Sequence, residues 1–222
     1  MKPYQRDFIR FCIEEGALYF GEFILKSKRI SPYFFNAGHL SNGRAYLNLA
    51  RFYAEAVMEH FKPSEFDLLF GPAYKGITLA TCTSMGLAEK GLNIPVCFNR
   101  KEYKDHGEGG MMIGAPLKNQ RALLIDDVIS AGTTIREAVK ITQKEGGCLA
   151  GIVIALNRQE IGLQSTLSAI QEVEKEFQLK VAAIISRDDL IAYLEETPTL
   201  QKHLPAIRAY QTEYGVMPSL PQ

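Results

Sequence analysis

No stretch of this 222-residue chain is apolar for long enough to cross a bilayer. Its longest nearly unbroken apolar run, Cys148 to Leu156, is about half of what a spanning helix needs. No secretory signal is expected either, because Asp7 and Arg10 interrupt any apolar segment near the start. Net charge of one sign is missing: 25 Lys and Arg balance 25 Asp and Glu, which argues against a dedicated nucleic-acid binder and leaves any anionic ligand to local clusters of charge. Cysteine is sparse. Cys12, Cys82, Cys97 and Cys148 lie far apart within apolar segments, a spacing that fits neither a zinc site nor a disulfide framework, so free buried thiols in a reducing cytoplasm are expected. Repeats, low-complexity tracts and long linkers are absent as well. Disorder is excluded by what is present, since apolar residues make up 46% and charged residues 23% of the chain.

At roughly 150 residues per domain, the length allows one large domain, or a core with a small appendage. From about residue 66, short apolar runs alternate with longer amphipathic ones. Strands are expected at Asp67–Phe70, Val96–Asn99, Arg121–Asp126, Leu149–Leu156 and Lys180–Ser186. Helical spacing marks Leu49, Phe52, Tyr53, Ala56, Val57 and Phe61 before the first strand. The same spacing marks Ile135, Ala138, Val139 and Thr142 after the third, and Leu163, Leu167, Ile170, Val173 and Phe177 after the fourth. The pattern predicts an α/β fold, a doubly wound parallel sheet with helices on both faces. The first forty residues break this rhythm. Tyr4, Phe8, Phe11 and Cys12 suggest a short helix, and Ala17–Leu25 and Ile30–Asn36 suggest two extended segments around the basic turn at Lys26. The expected organisation is therefore one domain over 1–222, with a small hood over about 1–40 packed on a core over about 41–222. Ser186 with Asp189 reads as a capping box, and a last helix is expected after Pro198.

The most informative string runs from Ala122 to Thr134. An apolar strand ends in Asp126 and Asp127, passes through the small-residue turn Ser130-Ala131-Gly132, and enters a helix near Ile135. In open α/β sheets ligands bind at the carboxyl ends of strands, and the free N–H groups of such a turn suit a phosphate. Two adjacent carboxylates would repel that phosphate, so they must address another part of the same ligand: sugar hydroxyls, or a metal bound to them. A ribose phosphate supplies both. A plain helix N-cap would also use Asp residues. No Walker lysine follows the turn and no Gly-x-Gly-x-x-Gly follows the first strand, which disfavours a P-loop hydrolase and a dinucleotide fold.

Two further strings carry charge. Gly71-Pro72-Ala73-Tyr74-Lys75-Gly76 follows the first core strand and could be an ordinary turn or a site loop. Asn99 to Gly110 is charged and glycine-bearing, with three Lys or Arg against three Asp or Glu over Arg100–Glu108. It suits a solvated hairpin or a mobile lid. Arg158 follows the Leu149–Leu156 strand and emerges at the same sheet edge as Asp126; its planar fork matches a carboxylate. Phe34 and Phe35 could serve a core or flank a flat ring.

The Ala122–Thr134 string resembles the phosphoribosyl pyrophosphate (PRPP) signature of the type I phosphoribosyltransferases. Together with Lys26, Tyr33-Phe34-Phe35-Asn36, Ala73-Tyr74-Lys75-Gly76, Arg100-Lys101-Glu102, Lys104-Asp105-His106-Gly107 and Asn157-Arg158, nearly the whole chain is similar to the bacterial orotate phosphoribosyltransferase family. That resemblance implies PRPP-binding roles for Lys26, Tyr74, Lys75, Arg100, Lys101, Lys104 and His106. It also implies contacts from Asp126 and Asp127 to the ribose hydroxyls, with Val128, Ile129, Ser130, Ala131, Gly132, Thr133 and Thr134 around the 5′-phosphate. Orotate is expected at Lys26, Phe34, Phe35, Ser130 and Arg158; relatives often carry Thr at the Ser130 position, which keeps the hydroxyl. Lys101, Lys104, His106 and Asp127 are the expected catalytic groups. Mg²⁺ is the expected cofactor, bound mainly through PRPP and within reach of Asp126 or Asp127 through water, with no metal site expected from protein alone. The resemblance further implies a homodimer whose lid residues are shared across subunits, and no nucleic-acid or membrane partner. Two rivals share the PRPP string: a purine-type phosphoribosyltransferase, disfavoured by this chain's hood with Lys26 and Phe34-Phe35 and by Arg158, and a PRPP-sensing regulator, disfavoured by the lid lysines and the lack of excess positive charge and excluded by turnover.

Overall fold

The computed structural model describes residues 1–105, 110–163 and 165–216. Helix α1 (Pro3–Glu14) precedes an antiparallel pair, β1 (Leu18–Ile24) and β2 (Ile30–Phe35). The pair stands apart from the main sheet as a separate two-stranded hairpin. The chain then runs through α2 (Gly43–His60), β3 (Leu68–Gly71), α3 (Lys75–Glu89), β4 (Val96–Lys104), β5 (Gly110–Gly114), β6 (Arg121–Asp126) and α4 (Thr133–Lys144). It closes with β7 (Cys148–Asn157), α5 (Ala169–Phe177), β8 (Val181–Ser186), α6 (Arg187–Glu196) and α7 (Leu204–Tyr214).

The six-stranded sheet has the order β5-β4-β3-β6-β7-β8. Every neighbouring pair is parallel except β4 with β5. The sheet is thus mainly parallel with an antiparallel edge: the charged segment after the second core strand folds back as a hairpin, and its return strand β5 lies outside the strands expected from apolar runs. Strand side chains alternate between two cores. Leu69, Leu123, Ile125, Val153 and Ala155 pack with α1, α2, α3, α6 and α7 on one face. Leu68, Phe70, Leu124, Ile152 and Ile154 pack with α4 and α5 on the other.

Two local expectations are corrected. Leu163 and Leu167 share the helical phase of α5 but precede it: Ser168 is the N-cap, its Oγ accepting from Gln171 N at 3.1 Å, so the helix starts at Ala169 and Leu163 is exposed. The four cysteines are free, but Cys148 is exposed rather than buried, because it opens β7 at the edge of the core. The capping box at the start of α6 forms as expected, with Ser186 Oγ accepting from Asp189 N and the Asp189 carboxylate accepting from Ser186 N at 2.8 Å.

Candidate active site

Strand β6 delivers Asp126 and Asp127 to the carboxyl edge of the sheet, where both are buried. The turn that follows is folded by its own side chains. Asp126 Oδ1 accepts from Asp127 N and Asp127 Oδ1 accepts from Val128 N, each at 2.9 Å. Gly132 turns the chain into α4 with φ of 72°, a left-handed conformation that disfavours any side chain with a Cβ. Behind the turn, Tyr53 on α2 donates its hydroxyl to the Asp126 carbonyl at 2.8 Å. A cleft of about 280 Å³ opens beside it, lined by Asp126, the Val128–Ile135 turn and Lys26 from the hairpin turn. Burial, and then the neighbouring Asp127 carboxylate, push Asp126 up to about 7, while the Lys75 ammonium works in the opposite direction.

Lys75 arrives through an unusually tight β3–α3 junction. A Cβ on Gly71 would lie 2.2 Å from the Gly76 carbonyl oxygen, so only glycine lets α3 start this close to the strand. The Ala73–Tyr74 peptide in this turn is cis. Asn99 on β4 accepts from Ala73 N at 2.9 Å and holds the turn from the side. The result is a 2.7 Å ion pair between Lys75 Nζ and Asp127 Oδ2, with Tyr74 projecting into solvent. Lys101 on β4 leans toward α4, its ammonium 3.8 Å from the Glu137 carboxylate. Arg100 is half-buried, and Lys104 lies at the far end of β4 opposite Gly110. His106, expected in the same string, lies outside the described residues.

The second half of the site is built where the hairpin meets the end of β7. Phe34 and Phe35 point to opposite faces of β2. Phe34 is 36% exposed and leans on Phe23, with ring centroids 5.7 Å apart, whereas Phe35 is 8% exposed and packs against Phe8 in the core. The ring available to a ligand is therefore Phe34. Arg158 is held by three groups: Glu160 Oε1 accepts from Nε at 2.8 Å, Ser31 Oγ accepts from Nη2 at 2.8 Å, and the Tyr33 ring lies 4.4 Å below the guanidinium.

The turn Ser130–Thr134, Lys26 and Asp126 thus line one cleft, with the paired Asp127 and Lys75 next to Asp126, and Arg158 stands at the neighbouring strand end under the same hairpin. Tyr53, Asn99, Ser31, Tyr33 and Glu160 were not among the expected site residues, although each fixes one of them. Tyr33 and Asn99 fell within strings marked for the site, Ser31 and Tyr53 only within segments marked as extended or helical, and Glu160 within neither.

A phosphoribosyl transferase domain model matches residues 36–181. Orotate phosphoribosyltransferases of Pseudomonas aeruginosa and Escherichia coli are each 57% identical over 217 residues, covering 97% of this chain and 100% of theirs. The chain belongs to the orotate phosphoribosyltransferase family. A crystal structure of the orotate phosphoribosyltransferase of Francisella tularensis has the same fold, with a TM-score of 0.85 at 36% identity, covering 94% of this chain and 99% of that one. The α/β architecture with its mainly parallel sheet is that of the type I phosphoribosyltransferases.

Proposed function

We propose that the cleft beside Asp126 and the neighbouring surface at Phe34 and Arg158 are the donor and acceptor sites of an orotate phosphoribosyltransferase: orotate + PRPP ⇌ orotidine 5′-monophosphate + pyrophosphate, a pentosyl transfer of pyrimidine biosynthesis. The observation that carries this reading is the shared hairpin. Its turn brings Lys26 to the Asp126–Ile135 cleft, and its strand β2 fastens Arg158 through Ser31 and Tyr33. A sugar phosphate at the first site and a flat carboxylate at the second would lie side by side.

In this reading the Ser130–Thr134 turn and the start of α4 receive the 5′-phosphate through backbone N–H groups and the helix dipole, an attraction of about 0.3–1 kcal/mol per contact and up to ~2 when partly buried. Asp126 and Asp127 accept from the ribose hydroxyls. Phe34 lies against the orotate ring and Arg158 receives its carboxylate, with Lys26 and the Ser130 hydroxyl at the junction. The C1–oxygen bond to pyrophosphate breaks as the orotate N1–C1 bond forms, and N1 gives up its proton. Positive character grows on C1 and negative charge on the departing oxygens. Tyr74, Lys75, Arg100, Lys101 and Lys104 hold that growing charge, preorganised help worth about 2.7–4 kcal/mol per key donor. Lys104 and His106 are the groups assigned to protonate the leaving pyrophosphate. Closing the β4–β5 hairpin over the donor excludes water that would otherwise hydrolyse it.

Two adjacent carboxylates, Asp126 raised first by its burial and then by Asp127, suit a hard divalent cation held jointly with the oxygens of the donor. In this reading Mg²⁺ would be carried mainly by PRPP and reached by Asp126 or Asp127. Bound there, it would neutralise pyrophosphate oxygens. The working unit in this reading is a homodimer in which the lid carried by β4 and β5 of one protomer reaches its partner's cleft. The four free thiols fit a reducing cytoplasm, and among the described residues no helix is long and apolar enough to cross a membrane.

A panel of bases tests the assignment. Pyrophosphate should be released from PRPP with orotate, and not with hypoxanthine or adenine. Release with a purine and none with orotate would overturn the choice of acceptor, and absence of any turnover would favour a PRPP sensor.

A further inference from the structure

We infer that Glu160 is a positioning residue for the acceptor, holding Arg158 so that a single nitrogen, Nη1, is offered to the carboxylate of orotate. The inference rests on the reading of Arg158 as the acceptor's anchor. A guanidinium has five N–H donors on a long, flexible stem and can present either of its edges. Here one edge is taken. Glu160 Oε1 lies 2.8 Å from Nε and 2.7 Å from Nη2, so one carboxylate oxygen spans that side of the fork. Ser31 Oγ accepts from Nη2 at 2.8 Å, and its own proton is committed to the Tyr33 carbonyl at 2.7 Å, so the hydroxyl is locked as an acceptor. The Tyr33 ring closes the flat face at 4.4 Å. Nη1 makes no hydrogen bond among the described residues, and the buried Tyr210 hydroxyl, which feels both Glu160 and Arg158, makes none either.

Glu160 can do this because its loop is fastened from three sides. Arg29 of the hairpin donates to the Ile161 and Gly162 carbonyls at 2.8 and 3.2 Å. Arg187, only 2% exposed, donates to the Gln159 carbonyl at 2.7 Å. The end of α7 adds backbone bonds, Ile161 N to the Tyr214 carbonyl at 2.9 Å and Val216 N to the Gln159 carbonyl at 3.0 Å. The Arg158–Glu160 pair is largely withdrawn from solvent, where charge pairing depends on geometry and is little screened. A Glu in that place both neutralises the guanidinium before substrate arrives and fixes its rotamer, so the ordering is complete in the free enzyme.

Steady-state kinetics of the full-length enzyme with Glu160→Ala, Glu160→Gln and Arg158→Ala, alongside thermal melts, tests this. Glu160→Ala should raise the orotate KM roughly tenfold, the scale of one lost charge-assisted hydrogen bond, with kcat and the PRPP KM unchanged. Glu160→Gln, whose amide oxygen can accept from the same Nε–H, should recover most of that loss. An orotate KM that rises in Arg158→Ala but not in Glu160→Ala overturns the inference and leaves the acceptor site in place. An orotate KM unmoved by Arg158→Ala overturns the acceptor site, and the inference with it. A fall in Tm with kcat and both KM values worsening together, unrelieved by glutamine, assigns Glu160 a purely structural role and overturns the inference.

Discussion

Lys75 Nζ lies 2.7 Å from Asp127 Oδ2, so the first residue of α3 neutralises one of the two carboxylates at the end of β6 before any ligand arrives. A donor that uses both groups must replace this pair with its own contacts. Lys75 also restrains the second carboxylate, since its charge lowers the affinity of Asp126 for a proton. Replacing Lys75 by Met should lower kcat/KM for PRPP by about 10²-fold or more, the scale of one lost preorganised donor. It should also move the acid limb of the pH–rate profile to higher pH, because Asp126 would then ionise later. A profile with an unmoved limb would separate Lys75 from Asp126.

Asp126 strains the fold in the service of the site. Its folded-state value of about 7 lies above the ordinary carboxylate value of 3.8. The folded state therefore binds the proton more tightly than the unfolded chain, and this group's contribution to stability falls as pH rises from about 4 to about 7. Asp126→Asn removes the burden: near neutral pH it should raise Tm, while abolishing most turnover. The gain should vanish below about pH 4. Differential scanning calorimetry across pH, read beside activity, checks both signs.

Gly71 admits no side chain. With its Cβ directed 2.2 Å from the Gly76 carbonyl oxygen, alanine at this position must push α3 away from β3. Gly71→Ala should lose about 3 kcal/mol of stability and, in whatever remains folded, weaken PRPP more than orotate, because Lys75 sits on the displaced turn. Urea titration gives the first number and KM values the second.

Lys104 lies at the far end of β4 opposite Gly110. Lys104→Ala should lower kcat by about 10²-fold while leaving the orotate KM within about threefold, since its assigned action is on the departing pyrophosphate. An unchanged kcat removes it from the mechanism.

Chelation offers a different contrast. If PRPP brings the Mg²⁺, EDTA should abolish turnover, yet shift Tm by less than about 2 °C in the absence of PRPP. A large destabilisation would point to a metal held by protein groups.

Much of this was readable in advance wherever function and fold are written in adjacent residues. The run from Arg121 to Thr134 encodes strand, acidic pair and helix entry in one string, so its place at the sheet edge followed from periodicity alone. Other features depend on partners remote in the chain. Strand β5 is a five-residue segment with glycine at both ends, and it becomes a strand by pairing with β4. The bond from Arg158 to Ser31 spans 127 residues, and no local pattern announces it. Tyr53 looked like one more apolar position on α2; its hydroxyl matters because α2 crosses beneath the Asp126 carbonyl. Leu163 and Leu167 kept the right phase by coincidence, and the cap at Ser168 decided where the helix began.

The opposed directions of Phe34 and Phe35 restrict how the hairpin can diverge among descendants. Strand residues alternate faces, so deleting or inserting one residue between Ile30 and Phe34 would exchange the two rings, sending Phe34 into the interior and Phe35 outward. The same slip would carry Ser31 away from Arg158. Length changes should therefore accumulate in the turn at 26–29, or come in pairs within the strand, whereas single-residue indels in β2 should be purged whatever the amino acid involved.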